Sequence, residues 1–202
     1  MKFIIATNNA KKLVELERIL SPLGINAVSA KDAGVTLEDV EETGTTFKEN
    51  SYIKADAACK RTGLPAIADD SGICVDALDG GPGIYSARFA GEDATDDDKN
   101  NLILKQLEDF DEKNRGAHYT CAITCVFPNG DTLQVEGKCF GKIAHAPEGD
   151  GGFGYDPIFL YNGVSFGKFS DEEKDKVSHR GNALRMMKTE LEKYLEENYV
   201  NK

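Results

Sequence analysis

No apolar run in this chain approaches the roughly 18 consecutive residues that a membrane-spanning helix requires, so the sequence argues against a membrane partner. The opening MKFIIATNNAKK makes a poor secretory signal, because its apolar run stops at Ala6 and no small-residue cleavage site follows. A cysteine framework is missing too. The five cysteines (Cys59, Cys74, Cys121, Cys125 and Cys139) are odd in number and without CxxC spacing, which speaks against a disulfide scaffold and a zinc site. Cys121 and Cys125 share one face of a strand pattern and read as small buried hydrophobes. A reducing cytoplasm is the expected compartment. The Walker pattern GxxxxGK[ST] occurs nowhere, and there is no internal repeat or long disordered linker.

Positive charge is scarce. With 24 basic and 35 acidic side chains the net charge is −11, a surface that repels a phosphate backbone and argues against nucleic acid as a partner. A small phosphorylated ligand is still compatible, since local cations, backbone N–H groups and a bound metal set the field at a site. Much of the acidity falls in EDATDDDK, Glu92 to Lys99, and in the C-terminal helix, where it reads as solvated surface.

What the chain does contain is the alternation of a layered α/β protein. Its 202 residues suit one large domain or two closely joined lobes. KFIIA, from Lys2 to Ala6, is a short apolar strand pattern followed by a polar turn. From Ala10 onward Leu13, Leu16, Ile19 and Leu20 fall at helical spacing, and the helix should end near Ser21-Pro22. Thr46 to Glu49 has the form of a capping box and opens a helix that runs to Gly63. Ala66 to Ala68 reads as a short buried strand ending in acids and a glycine, and Thr95 to Glu108 as a helix capped by Thr95 and Asp98. Between Ala117 and Phe127 the period changes to two. With Asn129-Gly130 and the alternation that follows, this predicts a hairpin. The last helix should run from about Asn182 to Asn198. The sum is a mixed sheet with helices packed on it.

Four segments are unlike packing sequence. Thr7-Asn8-Asn9-Ala10-Lys11-Lys12 sits at a strand-to-helix junction, where free N–H groups and lysines make an anion site; taken alone, the segment is more simply a cap with solvated lysines. Asp69-Asp70-Ser71-Gly72 crowds two carboxylates at the end of an apolar strand, which is costly unless a cation neutralises them. Magnesium suits such a pair, and an Asp-rich turn is the plainer alternative. Glu41-Glu42 offers a further carboxylate. GDGGFGYDP, Gly149 to Pro157, lets backbone approach a ligand closely while Phe153 and Tyr155 present aromatic faces. Lys174 and Ser178-His179-Arg180-Gly181 place cations at a helix start, against the macrodipole preference, so helix stability does not explain them.

Taken together, ATNNAKKLVEL, EETGTTFKENSYIKA, LPAIADDSGICVDALDGGPGIYSARFAG, GGFGYDPIF and EEKDKVSHRGNAL resemble, in order and over nearly the whole chain, the inosine triphosphate pyrophosphatase family. One departure is Asn8, where the family usually has glycine. The resemblance implies a single domain over residues 1–202, with an elongated two-lobed α/β fold around a long mixed sheet and an active cleft between the lobes. It implies a homodimer and Mg²⁺-dependent hydrolysis of the nucleoside triphosphates ITP, dITP and XTP to monophosphate and pyrophosphate. Carried over by position, Thr7, Asn8, Asn9, Ala10, Lys11 and Lys12 would bind the triphosphate, and Asp70 would be both proton acceptor and metal ligand, with Glu41 a second metal ligand. Ser71, Phe153, Gly154, Tyr155, Asp156 and Lys174 would contact the nucleotide, and His179 and Arg180 would read the base. The role of Asp69 stays open. A Maf-like pyrophosphatase and a triphosphate sensor without turnover are the alternatives.

Overall fold

The computed structural model describes residues 1–7 and 10–200. Asn8 and Asn9 therefore lie outside the described residues, as do the side chains of Ala10, Lys11 and Ile19. Seven strands form one sheet, β1 (Lys2–Ile5), β2 (Asn26–Ser29), β3 (Ala66–Val75), β4 (Gly116–Val126), β5 (Thr132–Ile143), β6 (Phe159–Tyr161) and β7 (Val164–Ser165). Their order is β2-β1-β3-β4-β5-β6-β7. β1 runs parallel to β2 and to β3, whereas β5–β6 and β6–β7 are antiparallel, so the sheet is mixed. Five helices accompany it: α1 (Ala10–Leu20), α2 (Phe47–Thr62), α3 (Asp96–Gln106), α4 (Asp171–Val177) and α5 (His179–Leu195).

Local chemistry sets most of the boundaries. The Thr46 hydroxyl accepts from Glu49 N, and the Glu49 carboxylate reaches back to Thr46 N, satisfying N–H groups that the first turn of α2 leaves open. Gly63 ends that helix with φ of 66°, a left-handed cap that costs other residues strain. Thr95 and Asp98 repeat the same box at α3. Asn129-Gly130 turns β4 into β5, with Gly130 N donating to Phe127 O.

The chain forms two compact units: Met1–Asp70, Cys121–Gly137 and Ala183–Lys202 in the first, and Ser71–Thr120 and Lys138–Asn182 in the second. In the first unit Phe3, Ile5, Ile67 and Ile123 pack with Leu16 and Leu20 of α1 and with Leu184, Met187 and Leu191 of α5; Cys121 and Cys125 are buried there. A separate cluster joins Ile4, Ala66 and Ala68 to Ala55 and Ala58 of α2. In the second unit Ile73, Val75, Tyr119, Ile143, Phe159 and Phe166 pack with Ile103 and Leu107 from the end of α3. Each fully buried side chain of this size contributes about 1.5–3 kcal/mol relative to exposure.

Two expectations change. β3 continues from Ala66 through Asp69-Asp70-Ser71-Gly72 to Val75, ten residues that are nearly all buried, so the acids do not end the strand. α5 starts at His179 rather than near Asn182, because the Ser178 hydroxyl accepts from Gly181 N and its carbonyl from Asn182 N, which makes Ser178 the cap.

Candidate active site

The period of two along β3 sorts its residues onto two faces. Ile67 joins the cluster containing α1, while Ala66 and Ala68 join the one containing α2. The adjacent acids obey the same alternation. Asp69 meets Lys12 of α1, Nζ to Oδ2 2.8 Å, and Asp70 meets Lys54 of α2, Nζ to Oδ1 3.7 Å. Two consecutive carboxylates are thus kept apart by the pleat, each facing an ammonium group from a different helix.

Lys54 also binds Glu42, Nζ to Oε1 3.2 Å. Glu41, the residue expected beside Asp70, is exposed, and its backbone carbonyl accepts from Thr43 N. The carboxylate that this geometry groups with Asp70 is Glu42. A series of contacts holds the Glu42 segment against α2: Gly44 N donates to Asn50 Oδ1 at 2.9 Å and Thr45 N to Glu49 Oε2 at 2.6 Å. A Cβ at Gly44 would stand 2.6 Å from Asn50 Oδ1, so only glycine fits. Asn50 itself is buried and hydrogen-bonds the Asp70 carboxylate.

Burial pushes the Asp70 carboxyl above its ordinary value; the Lys54 ammonium opposes this, Glu42 adds to it, and Asn50 and Lys12 counter it. For Lys54, burial works against the charged form, yet Asp70, Asp69 and Glu42 outweigh it and raise the pKa. The result is a buried carboxyl that gains from any further cation, beside a lysine that stays charged. Among the described residues no group of three or more His, Cys, Asp or Glu side chains is gathered to hold a metal. Asp70 and Glu42 nonetheless suit magnesium, which binds through one or two carboxylates and completes its shell with water and substrate phosphate. Thr7 lies two residues after β1, on the chain leading to α1.

The aromatic and cationic residues assemble within the second unit around Asp156. This carboxylate is 1% exposed. It accepts from Phe153 N at 2.8 Å and from Tyr119 OH at 3.4 Å, and it pairs with Lys174 of α4. Lys174 Nζ lies 4.5 Å from the Phe153 ring centroid, and the Arg180 guanidinium lies 5.9 Å from it. Arg180 donates to Ser71 Oγ at 3.1 Å. His179 stacks on Tyr119, with centroids 4.5 Å apart and planes 7° from parallel. Tyr155 is buried, and its hydroxyl donates to Ser86 O at 2.6 Å. Burial pushes the Tyr155 phenol well above its ordinary value, with the Asp96 charge adding to the shift.

Phe153, Asp156, Lys174, Ser71, His179 and Arg180 are therefore brought together within the second unit. Several participants escaped the sequence reading. Lys54 lies four residues after Asn50, on the same face of α2, a spacing visible in the sequence but indistinguishable there from a surface lysine. Tyr119 was read only as one step in a strand alternation. Asp96 belonged to a run taken as solvated, yet its Oδ2 accepts from Gly154 N at 2.6 Å.

The chain is similar to known proteins over nearly its whole length. A model of the Ham1 family matches residues 3–190. The chain is 46% identical over 189 residues to a Streptomyces coelicolor protein named dITP/XTP pyrophosphatase, covering 92% of this chain and 94% of that protein. A protein of the same name from an Exiguobacterium species is 46% identical, with 95% and 97% covered. Among solved structures, a HAM1 protein from Coxiella burnetii superposes with a TM-score of 0.89 at 40% identity over 96% of this chain and 99% of that one. The Staphylococcus aureus Ham1 protein does so with a TM-score of 0.87 at 36% identity, over 96% and 100%.

Proposed function

The chain belongs to the Ham1 family, and from that premise we propose that it is a nucleoside triphosphate pyrophosphatase, cleaving the α–β phosphoanhydride of the non-standard purine nucleotides ITP, dITP and XTP. The observation that carries this reading is the Glu42–Lys54–Asp70 cluster, where a buried carboxyl with a raised pKa sits beside a retained ammonium group. Its relatives named dITP/XTP pyrophosphatase support the substrate class. Residues 1–202 act as one pyrophosphatase domain.

In the reaction, water forms a bond to the α-phosphorus and the bond to the α–β bridging oxygen breaks. Asp70 orients the water and takes its proton, a role suited to a carboxyl held above the ordinary range. The products are the nucleoside monophosphate and pyrophosphate. Asp70 and Glu42 would hold magnesium. When bound, the ion supplies charge neutralisation for the phosphate oxygens and the pyrophosphate leaving group. Lys54 adds fixed positive charge at the same carboxylates. Thr7, Asn8, Asn9, Ala10, Lys11 and Lys12 bind the triphosphate, Lys12 doing so while paired with Asp69. Asp69 thereby acts as the partner that fixes Lys12.

Phe153 stacks on the purine. Arg180, steadied by Ser71, and His179, steadied by Tyr119, donate to the six-keto oxygen. Adenine presents an amino donor there, and buried donors left unmatched discriminate by up to about 10⁴-fold. A homodimer in the cytoplasm completes the proposal; among the described residues no helix is long and apolar enough to cross a membrane.

The decisive test incubates the protein with Mg²⁺ and ITP, XTP, dITP, ATP or GTP and measures pyrophosphate and orthophosphate separately. Pyrophosphate from ITP, dITP and XTP is expected, with ATP slow. Orthophosphate as the sole product overturns the cleavage position, and equal rates on ATP and ITP overturn the base reading.

A further inference from the structure

Helix α3 lies outside every segment that the sequence singled out for nucleotide contact, yet it holds the backbone on both sides of Gly154. Asp96, in its first turn, accepts from Gly154 N at 2.6 Å. Asn100, one turn later on the same face, donates from Nδ2 to Gly154 O at 3.0 Å. One residue of the aromatic loop therefore has both its peptide donor and its peptide acceptor matched by side chains of a single helix. Gly154 is at φ of 63°, a conformation in which a side chain is strained. Left to itself such a backbone would sample many states, and two hydrogen bonds of opposite polarity select one of them.

The helix is well suited to act as a fixed support. Its capping box anchors the start, Ile103 and Leu107 bury its end in the second unit's core, and Arg115 donates to Leu107 O at 2.6 Å and to Ile143 O at 2.9 Å. Lys99 holds Asp96 in place, Nζ to Oδ1 2.6 Å. Asn100 is 2% exposed and commits its amide to the Gly154 carbonyl, so its orientation is set by the donor it must present. On the loop side, the immediate neighbours of Gly154 are Phe153, which carries Lys174 and Arg180 near its ring, and the anchored Tyr155.

We propose that Asp96 and Asn100 are positioning residues that fix the Gly154 peptide and thereby set the Phe153 ring for the purine. This rests on the pyrophosphatase reading of the same loop. The two residues act with opposite polarity, Asp96 as acceptor and Asn100 as donor, and that gives a test a general loss of stability does not imitate.

Wild-type turnover of ITP and XTP is measured first; its absence overturns the functional reading and this proposal with it. With turnover present, KM and kcat for ITP are compared in Asp96→Ala, Asp96→Asn, Asn100→Ala and Asn100→Asp, with Lys105→Ala on the exposed side of α3 as a control and thermal melting to check folding. Asp96→Ala and Asn100→Asp are expected to raise KM by about tenfold, the scale of one hydrogen bond lost, with kcat within about twofold. Asp96→Asn keeps an accepting oxygen and recovers most of the loss, whereas Asn100→Asp sets a carboxylate against a carbonyl and does worse than Asn100→Ala. An unchanged KM in Asp96→Ala overturns the positioning role. So does Asp96→Asn as impaired as Asp96→Ala, or an Asn100→Asp variant as active as wild type.

Discussion

Around β3 three carboxylates, from Asp69, Asp70 and Glu42, meet two ammonium groups, from Lys12 and Lys54. In the second unit one carboxylate, Asp156, meets three donors: Phe153 N, Tyr119 OH and Lys174. In the first region burial dominates at Asp70 and pushes its carboxyl upward against the opposing Lys54 charge. The second is saturated with donors, so Asp156 organises its surroundings. The same residue type is thus placed as the proposed proton acceptor in one region and as a frame in the other, and what separates the two is burial against the set of partners.

The largest effect should come from removing the Asp70 carboxylate. Asp70→Asn is expected to lower kcat for ITP by about 10²–10⁴-fold, the contribution of a positioned proton acceptor. The folded protein should gain stability from the same change. Because the folded pKa of Asp70 lies above its unfolded value, the folded state binds this proton more tightly, and ionisation at neutral pH disfavours folding. The melting temperature at pH 7 should therefore rise in Asp70→Asn, and this difference should vanish at a pH low enough to protonate Asp70 in both folded and unfolded chains. A fall in melting temperature at pH 7 together with near-wild-type turnover would remove Asp70 from both roles.

Lys54→Met tests the charge balance at Asp70. Loss of the ammonium group that most strongly opposes the burial shift leaves Asp70 and Glu42 facing each other without it, so the Asp70 carboxyl should titrate at higher pH in the magnesium-free protein. Carbon-detected NMR of the aspartate carboxyls would follow that titration, and kcat should drop by about 10²-fold, as when a fixed electrostatic group is removed. A titration that moves downward would mean that Lys54 is not the counter-cation.

The comparison also explains what could be read from the sequence. Capping boxes at Thr46 and Thr95, the Asn129-Gly130 hairpin and the helical spacing of α1 are short-range signals, and the structure carries them at those residues. The Asp69-Asp70 pair stands out because adjacent carboxylates are costly, but its resolution depends on the pleat of a buried strand and on lysines 57 and 16 residues away in sequence, which no local pattern encodes. The same limit explains Glu42. Glu41 and Glu42 are chemically equivalent in sequence, and only the packing of Gly44 and Asn50 decides which one reaches Lys54. Asp96 was hidden differently, within a run of acids that elsewhere would be a solvated face.

In the saturated region the expected effects are smaller and fall on selectivity. Arg180→Ala removes a donor that Ser71 steadies and that lies near the Phe153 ring. The ratio of kcat/KM for ITP over ATP should shrink by about tenfold or more, since a lost donor to the six-keto oxygen relaxes the rejection of adenine. Turnover of ATP itself should change little. If ITP and ATP rates fall in parallel, Arg180 acts on the phosphates and the base reading moves to other groups.

Tyr119→Phe is the finest cut, because it keeps the ring stacked on His179 and deletes only the hydroxyl that donates to Asp156. That bond is long, 3.4 Å, and Asp156 retains Lys174 and Phe153 N, so the frame should persist. A twofold to threefold rise in KM for ITP is expected, at the weak end of what one hydrogen bond contributes, with kcat unchanged. Tyr119→Leu, by contrast, removes the stack and lets the imidazole rotate, so the ITP to ATP ratio should fall further than in Tyr119→Phe. Equal ratios in the two variants would mean that the stack does not orient His179, and the saturated region would then owe its shape to Asp156 alone.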